Sequence, residues 1–256
     1  MLPEGAQVVV DAMRAALAAG QFGLVFQPRY SLADDRLVGA EALVRWALKD
    51  GRSLGPPDFV KVAEQCGLIG QLDAFVAGAA CRELAAWEAE LPLPADFYLA
   101  VNVSPLSLAG PGFPAAVVRE VGGPPSAALR FELTGSAPGP DRGFDAMAEL
   151  AAMGAGADLD YFGTGFSTIS TVQSLPAGRA GIHACFHVDT GTVEAIVGMF
   201  HNFDTLVVAK RIETDGELAA LRRAGCDEGQ GFLLGEPVPS SSFGQYLRPG
   251  AASGLR

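Results

Sequence analysis

The stretch Leu37-Val-Gly-Ala-Glu41-Ala-Leu43-Val-Arg45-Trp46 constrains the fold most, because a glutamate and an arginine interrupt what otherwise reads as a buried strand. Strand side chains alternate between faces, so Glu41, Leu43 and Arg45 project together while Ala40, Ala42, Val44 and Trp46 face the other way. An isolated buried charge costs several kcal/mol and persists where it is paired or binds something. Two readings are open at this point: an internal Glu41–Arg45 ion pair, or a site for a metal and an anion.

The neighbouring segments set the architecture. Val8–Ala19 has helical character and ends at Gly20, as helices often do. Gly23–Gln27 reads as a strand, and Ser31–Arg36 is too short to hold a crossover helix before Leu37. Strands joined that tightly run antiparallel. After the Gly51–Pro57 loop come helical patterns at Asp58–Gln65 and Gln71–Glu90. Strand-like segments follow at Tyr98–Val103, Leu129–Leu133, Ala155–Asp160, Gly181–Phe186, Thr205–Ala209 and Gln230–Leu234. Helices at Phe144–Met153, Thr192–Phe200 and Glu217–Ala224 fall between them. Eight strands in this alternation predict a mostly parallel sheet closed into a barrel. The fold expected is α/β, one domain over residues 1–256.

Composition narrows the function. With 256 residues, 49% hydrophobic and 18% charged, the chain can bury a large core. A formal net charge of −11 opposes DNA or RNA binding, which relies on clustered Lys and Arg, but leaves room for a small anion held by local donors. Cys66, Cys81, Cys185 and Cys226 are widely spaced and predict reduced thiols. No run approaches the ~18 to 20 apolar residues of a membrane helix, so the expected location is the cytoplasm. His183, Cys185 and His187 share a strand face, but the outer two would lie ~13 Å apart on a straight strand, too far for one zinc ion.

In a barrel of this type the site lies at the C-terminal ends of the strands. Glu41, Asn102, Glu132 and Asp160 fall there, an all-oxygen set from four strands suited to Mg²⁺, Mn²⁺ or Ca²⁺. Lys210 and Glu213 end the next-to-last strand, and Gln230 begins the last. Lys210 pairs with Glu213 or points to solvent, or it places its ammonium among the carboxylates, either beside one bound metal or as an internal counter-ion without one.

The chain resembles the bacterial EAL domain, a family that hydrolyses cyclic di-GMP. The resemblance rests on Glu41-Ala42-Leu43 followed by Val44-Arg45-Trp46, with Gln27-Pro28, Ala63-Glu64-x-x-Gly67-Leu68-Ile69, Val101-Asn102-x-Ser104, Phe162-Gly163-Thr164-Gly165, Leu175-Pro176, Glu213-Thr214 and Gly225-Cys226-Asp227-x-x-Gln230-Gly231-Phe232 in order, over about residues 8–246. It implies a TIM-like (β/α)₈ barrel with an antiparallel first strand. It implies further that Glu41, Asn102, Glu132 and Asp160 hold one metal, Mg²⁺ or Ca²⁺ here, and that Gln27, Leu43, Arg45, Gln230 and Pro237 border the dinucleotide, with Arg45 on phosphate.

Five positions depart from the family pattern. Tyr161 replaces a second-metal aspartate, Gly181 and His183 replace the Lys and Asp of a Lys-Ile-Asp strand, Lys210 replaces a glutamate, and Gly135 replaces a glutamate that anchors the glycine loop. Losing one such preorganised group commonly costs roughly 2.7 to 4 kcal/mol of transition-state stabilisation, without additivity inside one site. The expectation is a degenerate phosphodiesterase, with no catalytic residues assigned, that acts as a cyclic di-GMP receptor and signals to a protein partner or across a homodimer. The alternatives are a module that binds protein and no nucleotide, and a weak residual phosphodiesterase.

Overall fold

The computed structural model describes residues 4–133, 144–162, 177–183 and 190–248. A first helix, α1 (Glu4–Ala18), leads into β1 (Phe22–Ser31) and β2 (Leu37–Ala47), which pair antiparallel with Gln27 opposite Glu41 and Gly23 opposite Arg45. A short β3 (Ser53–Leu54) folds back on the end of β2. Pro56 then opens α2 (Pro56–Gln65), where the Asp58 carboxylate accepts from the Gly55 amide at 2.9 Å and caps the first turn. The long α3 (Ile69–Glu90) buries Leu72, Val76, Ala80, Leu84 and Trp87, a stripe at helical spacing.

From β4 (Tyr98–Val103) the chain winds as a parallel barrel. Helices α4 (Pro105–Ala109) and α5 (Phe113–Val121) precede β5 (Leu129–Leu133), and α6 (Phe144–Ala152) precedes β6 (Gly156–Phe162). β7 (Arg179–Ile182), α7 (Thr190–His201), β8 (Leu206–Ala209), α8 (Asp215–Arg223) and β9 (Glu228–Gly229) complete the turn. β1 pairs with both β2 and β9, so the sheet closes on eight strands, with β1 antiparallel to its neighbours. β10 (Val238–Pro239) adds to β1, and α9 (Ser240–Leu247) covers it. Among the described residues no helix is long and apolar enough to cross a membrane.

Alternation along the strands sorts side chains into two environments. Phe26, Tyr30, Ala40, Ala42, Leu99, Val101, Leu129, Phe131, Leu159, Ala180, Val207 and Ala209 face the helices and join one apolar cluster. The other face lines the barrel interior and is polar at two depths. The deeper layer holds Tyr98, Arg130, Asp158, Arg179 and Glu228. Arg130 grips Asp158 with two donors at 2.6 Å, Arg179 donates to Glu228 at 2.9 Å and lies 3.9 Å over the Tyr98 ring, and the Tyr98 hydroxyl bonds Glu228. Gly156 and Gly178 make this layer possible, since a Cβ on either would meet the Arg130 guanidinium within 2.4 Å.

Two differences from the sequence expectations bear on the site. β1 runs four residues past Gln27, to Ser31. Pro28 signals a strand end because it lacks an amide donor, yet here it sits opposite Ala40 beside a register shift at Arg29/Tyr30, a position where proline is tolerated. Gly235 leaves room for its ring, because a Cβ there would lie 2.5 Å from Pro28 Cγ. The strand expected over Gly181–Phe186 is instead Arg179–Ile182, with His183 just beyond it; Cys185, His187, Gly135 and the tail from Pro249 lie outside the described residues.

Candidate functional site: a charge cluster at the barrel mouth

The second interior layer lies further along the parallel strands, toward the barrel mouth, two residues beyond Arg130, Asp158 and Glu228 and four beyond Tyr98. Glu41 from β2, Asn102 from β4, Glu132 from β5, Asp160 from β6, Lys210 after β8 and Gln230 after β9 converge with Gln27 and Arg29 from β1. The structure therefore brings together all four residues expected to hold a metal. Glu41, Glu132 and Asp160 are buried, and Asn102 is half-buried.

Two cations sit among them. Lys210 Nζ lies 2.8 Å from Glu132 Oε2, 2.7 Å from Asp160 Oδ1 and 3.5 Å from Glu41 Oε2. Its ammonium points into the barrel and away from Glu213, whose carboxylate lies 3.9 Å from exposed Arg211. Gly181 gives Lys210 its space: a Cβ there would stand 2.5 Å from Asp160 Oδ1 and 3.1 Å from Lys210 Cε. The second cation, Arg29, was absent from the sequence expectations. Fully buried, it donates to Glu132 Oε1 at 2.5 Å and Oε2 at 2.9 Å, to Glu41 Oε2 at 2.9 Å, and through Nε to Gln230 Oε1 at 2.7 Å. The partner of Glu41 is thus Arg29 on the adjacent strand; Arg45, its neighbour on the same face, donates to Val44 O at 2.9 Å. The alternation of Gln27, Arg29 and Ser31 against Phe26, Pro28 and Tyr30 was the signal that could have found Arg29, had Pro28 not ended the strand.

The protonation states follow from this packing. Burial pushes the Glu132 carboxyl up, but the Arg29 and Lys210 charges outweigh it and hold the group well below the usual carboxylate range. Glu41 is likewise held low, with Lys210 and Arg29 outweighing burial. Burial, with Glu132 and Glu41 nearby, overcomes Lys210 at Asp160 and raises that carboxyl to about 6. The three carboxylates keep the ammonium charged despite its burial.

The residues expected to border a ligand divide into two sets. Gln27 and Gln230 are buried and spent on internal bonds: Gln27 donates to Gly235 O at 3.0 Å, and Gln230 donates to Gln27 Oε1 at 2.9 Å and Glu41 Oε2 at 2.8 Å. Leu43, Arg45 and Pro237 are half-buried, and Leu43 and Arg45 continue the Glu41 face toward the open end of β2.

Residues 10–237 match the EAL domain family. The chain belongs to that family. A signalling protein of Caulobacter vibrioides is 36% identical over 251 residues, covering 93% of this chain and 30% of its own length, so this EAL domain spans less than a third of that relative. The cyclic di-GMP complex of the Pseudomonas aeruginosa MucR phosphodiesterase has a TM-score of 0.81 at 32% identity, covering 91% of this chain and 98% of that one. The FimX EAL domain of the same organism, bound to cyclic di-GMP, shares the fold with a TM-score of 0.78 at 23% identity, covering 90% of this chain and 96% of its own.

EAL domains typically use divalent metal ions. The donor set in this EAL domain does not fit one. Both Glu132 oxygens accept from Arg29, one of them also from Lys210. Glu41 Oε1 accepts from the Asn102 amide at 2.6 Å, so Asn102 offers a hydrogen-bond donor inside the cluster. An ion bound at 2.0 to 2.6 Å from these oxygens would stand within a few ångströms of both resident cations. Two like unit charges 4 Å apart repel by about 4 kcal/mol at an effective dielectric near 20, and a divalent ion doubles that for each cation. At Glu41 and Glu132, the Mg²⁺ or Ca²⁺ expected from the sequence meets oxygens whose partners are already protein.

Proposed function

We propose that this EAL domain is a receptor for cyclic di-GMP, holding the dinucleotide over the barrel mouth without cleaving it and reporting the bound state to a protein partner or across a homodimer. One observation carries the reading: Lys210 Nζ stands 2.8 Å from Glu132 and 2.7 Å from Asp160. Two-metal hydrolysis clamps and activates a water between ions ~3.5 to 4 Å apart, and these carboxylates would have to hold such an ion. Tyr161, at the position of the family's second-metal aspartate, brings no carboxylate to replace what Lys210 occupies. Binding keeps support from Arg45, half-buried at the mouth, whose planar fork suits phosphate oxygens and which commits one Nη to Val44 O.

Calorimetric titration with cyclic di-GMP tests the binding half. Arg45→Ala should weaken it by about 1.5 to 3 kcal/mol, roughly tenfold to a hundredfold, and Arg45→Lys should restore part of that loss. Incubation with Mg²⁺ or Mn²⁺ and chromatography of products tests the other half. Little or no linear dinucleotide is expected, whereas robust formation sensitive to Glu41→Ala would return the protein to the phosphodiesterases. The internal bonding of Gln27 and Gln230 favours a second reading, a protein-interaction module without nucleotide. A wild-type protein giving no heat and no thermal shift at high micromolar cyclic di-GMP would select it.

A further inference from the structure

We infer that Arg29 and Lys210 are resident cations that take the place of divalent metal in this barrel, so that the carboxylate centre binds no Mg²⁺, Mn²⁺ or Ca²⁺ and any dinucleotide at the mouth is held without metal. The inference deepens the receptor reading and rests on it for the dinucleotide clause alone.

Arg29 enters from β1, the strand that runs opposite to the rest, and spans Glu132 and Glu41 with bonds of 2.5 to 2.9 Å. Lys210 enters two strands away, just past the end of β8, and spans Glu132 and Asp160. Glu132 is therefore held between two cations, in the centre of a cluster where a metal shared by these acids would have to sit. Neither cation has room to withdraw in place. Arg29 is fully buried, with its Nε fixed to Gln230 Oε1, and Lys210 is 5% exposed.

Chain design points the same way. A side chain at Gly181 would collide with Asp160 Oδ1 and the Lys210 stem, so the absence of one on β7 is what admits the Lys210 ammonium from β8. Asn102 turns its amide nitrogen to Glu41, which satisfies that oxygen from within. Counted together, Arg29 and Lys210 face Glu41, Glu132 and Asp160. That is two positive charges against three negative, a balance that leaves one negative charge and needs no divalent ion to become tolerable in the interior.

Titration of the protein with Mn²⁺ followed by electron paramagnetic resonance tests this without any nucleotide. The wild type should bind Mn²⁺ no better than Asp160→Asn does, residual binding in both reflecting the acidic surface. The variant Arg29→Met/Lys210→Glu, stripped of both cations, should gain one site at least roughly 100-fold tighter. A saturable Mn²⁺ site in the wild type that Asp160→Asn abolishes would overturn the inference, and so would an anomalous-scattering peak between Glu132 and Asp160 in crystals grown with Mn²⁺. Those two wild-type measurements decide the matter even where the double variant fails to fold. Cyclic di-GMP titrated in EDTA and in Mg²⁺ should give the same Kd within about twofold. A tightening of tenfold or more by Mg²⁺ that Asp160→Asn removes would count against the inference, while no binding in either buffer would break the receptor reading and leave the Mn²⁺ result standing.

Discussion

The two polar layers inside the barrel solve the same electrostatic problem with different balances. In the deeper layer two arginines meet two carboxylates, Arg130 with Asp158 and Arg179 with Glu228, and the Tyr98 ring and hydroxyl close the gap between them. In the layer at the mouth, two cations meet three carboxylates. The deeper layer is balanced in formal charge, although burial still raises the Asp158 carboxyl against the pull of Arg130. A layer with one carboxylate in excess keeps a group whose charge is not fully compensated, and Asp160, raised to about 6 by burial and by Glu132 and Glu41, is where that excess lies.

The largest effect that would break this comparison is expected at Arg29. Arg29→Met leaves Glu132 and Glu41 buried with Lys210 alone, and should cost about 3 to 5 kcal/mol of stability in denaturant unfolding. Adding Glu132→Gln should recover only part of that, because Glu41 loses the same guanidinium. Full recovery would mean that Arg29 serves one carboxylate, as each arginine below it does.

Next comes Asp158→Asn in the deeper layer, which deprives Arg130 of two charge-assisted bonds and should cost about 2 to 3 kcal/mol. A third buried acid offers a contrast with both layers. Among the described residues Asp73 meets no cation: its carboxylate accepts from the Ser104 amide at 2.9 Å and from the Ser107 hydroxyl at 2.6 Å, and burial pushes it up to about 7. A carboxyl raised on folding binds its proton more tightly in the native state. Its contribution is therefore complete below the unfolded value near 3.9 and is lost as pH climbs toward 7. Wild type measured against Asp73→Asn should gain about 2.5 kcal/mol of relative stability on going from pH 8 to pH 5. A flat difference between the two proteins would show that Asp73 titrates normally.

The smallest effect sharpens the contrast most. Asp160→Asn removes the surplus carboxylate and one partner of Lys210 but leaves two cations facing two carboxylates, with Lys210 still paired to Glu132, and should cost less than Asp158→Asn, about 1 kcal/mol. If Asp160→Asn costs as much as Asp158→Asn, the two layers are equivalent and the surplus has no energetic meaning.

How far the sequence announced this arrangement varies residue by residue. The antiparallel β1–β2 pair was legible because a six-residue connection leaves no geometric alternative, and Glu41, Asn102, Glu132 and Asp160 were legible as strand-end acids and amide. Helix α5 was not, since Gly110, Pro111, Gly112 and Pro114 all read as breakers, although Pro114 occupies the first turn, where a proline costs nothing. Arg29 was hidden by Pro28. The partners of Lys210 lie 78 residues away at Glu132 and 50 at Asp160, whereas Glu213 lies three residues away, and local spacing carries nothing that distinguishes them. Only the closure of the barrel does.

That closure has a kinetic side. β1 and β2 form a local hairpin that already holds the Arg29–Glu41 pair, but Arg29 reaches Glu132 across 103 positions and Gln230 across 201, so the full cluster is complete only when the barrel closes. Contacts made that late are absent from the folding nucleus and act on the escape from the native state. Weakening them should therefore steepen the loss of native protein over time more than it slows refolding, and a chevron for Arg29→Met should move mainly on its unfolding arm. The charges at the mouth act as a latch on a ring: they set how long the barrel stays shut more than how fast it shuts.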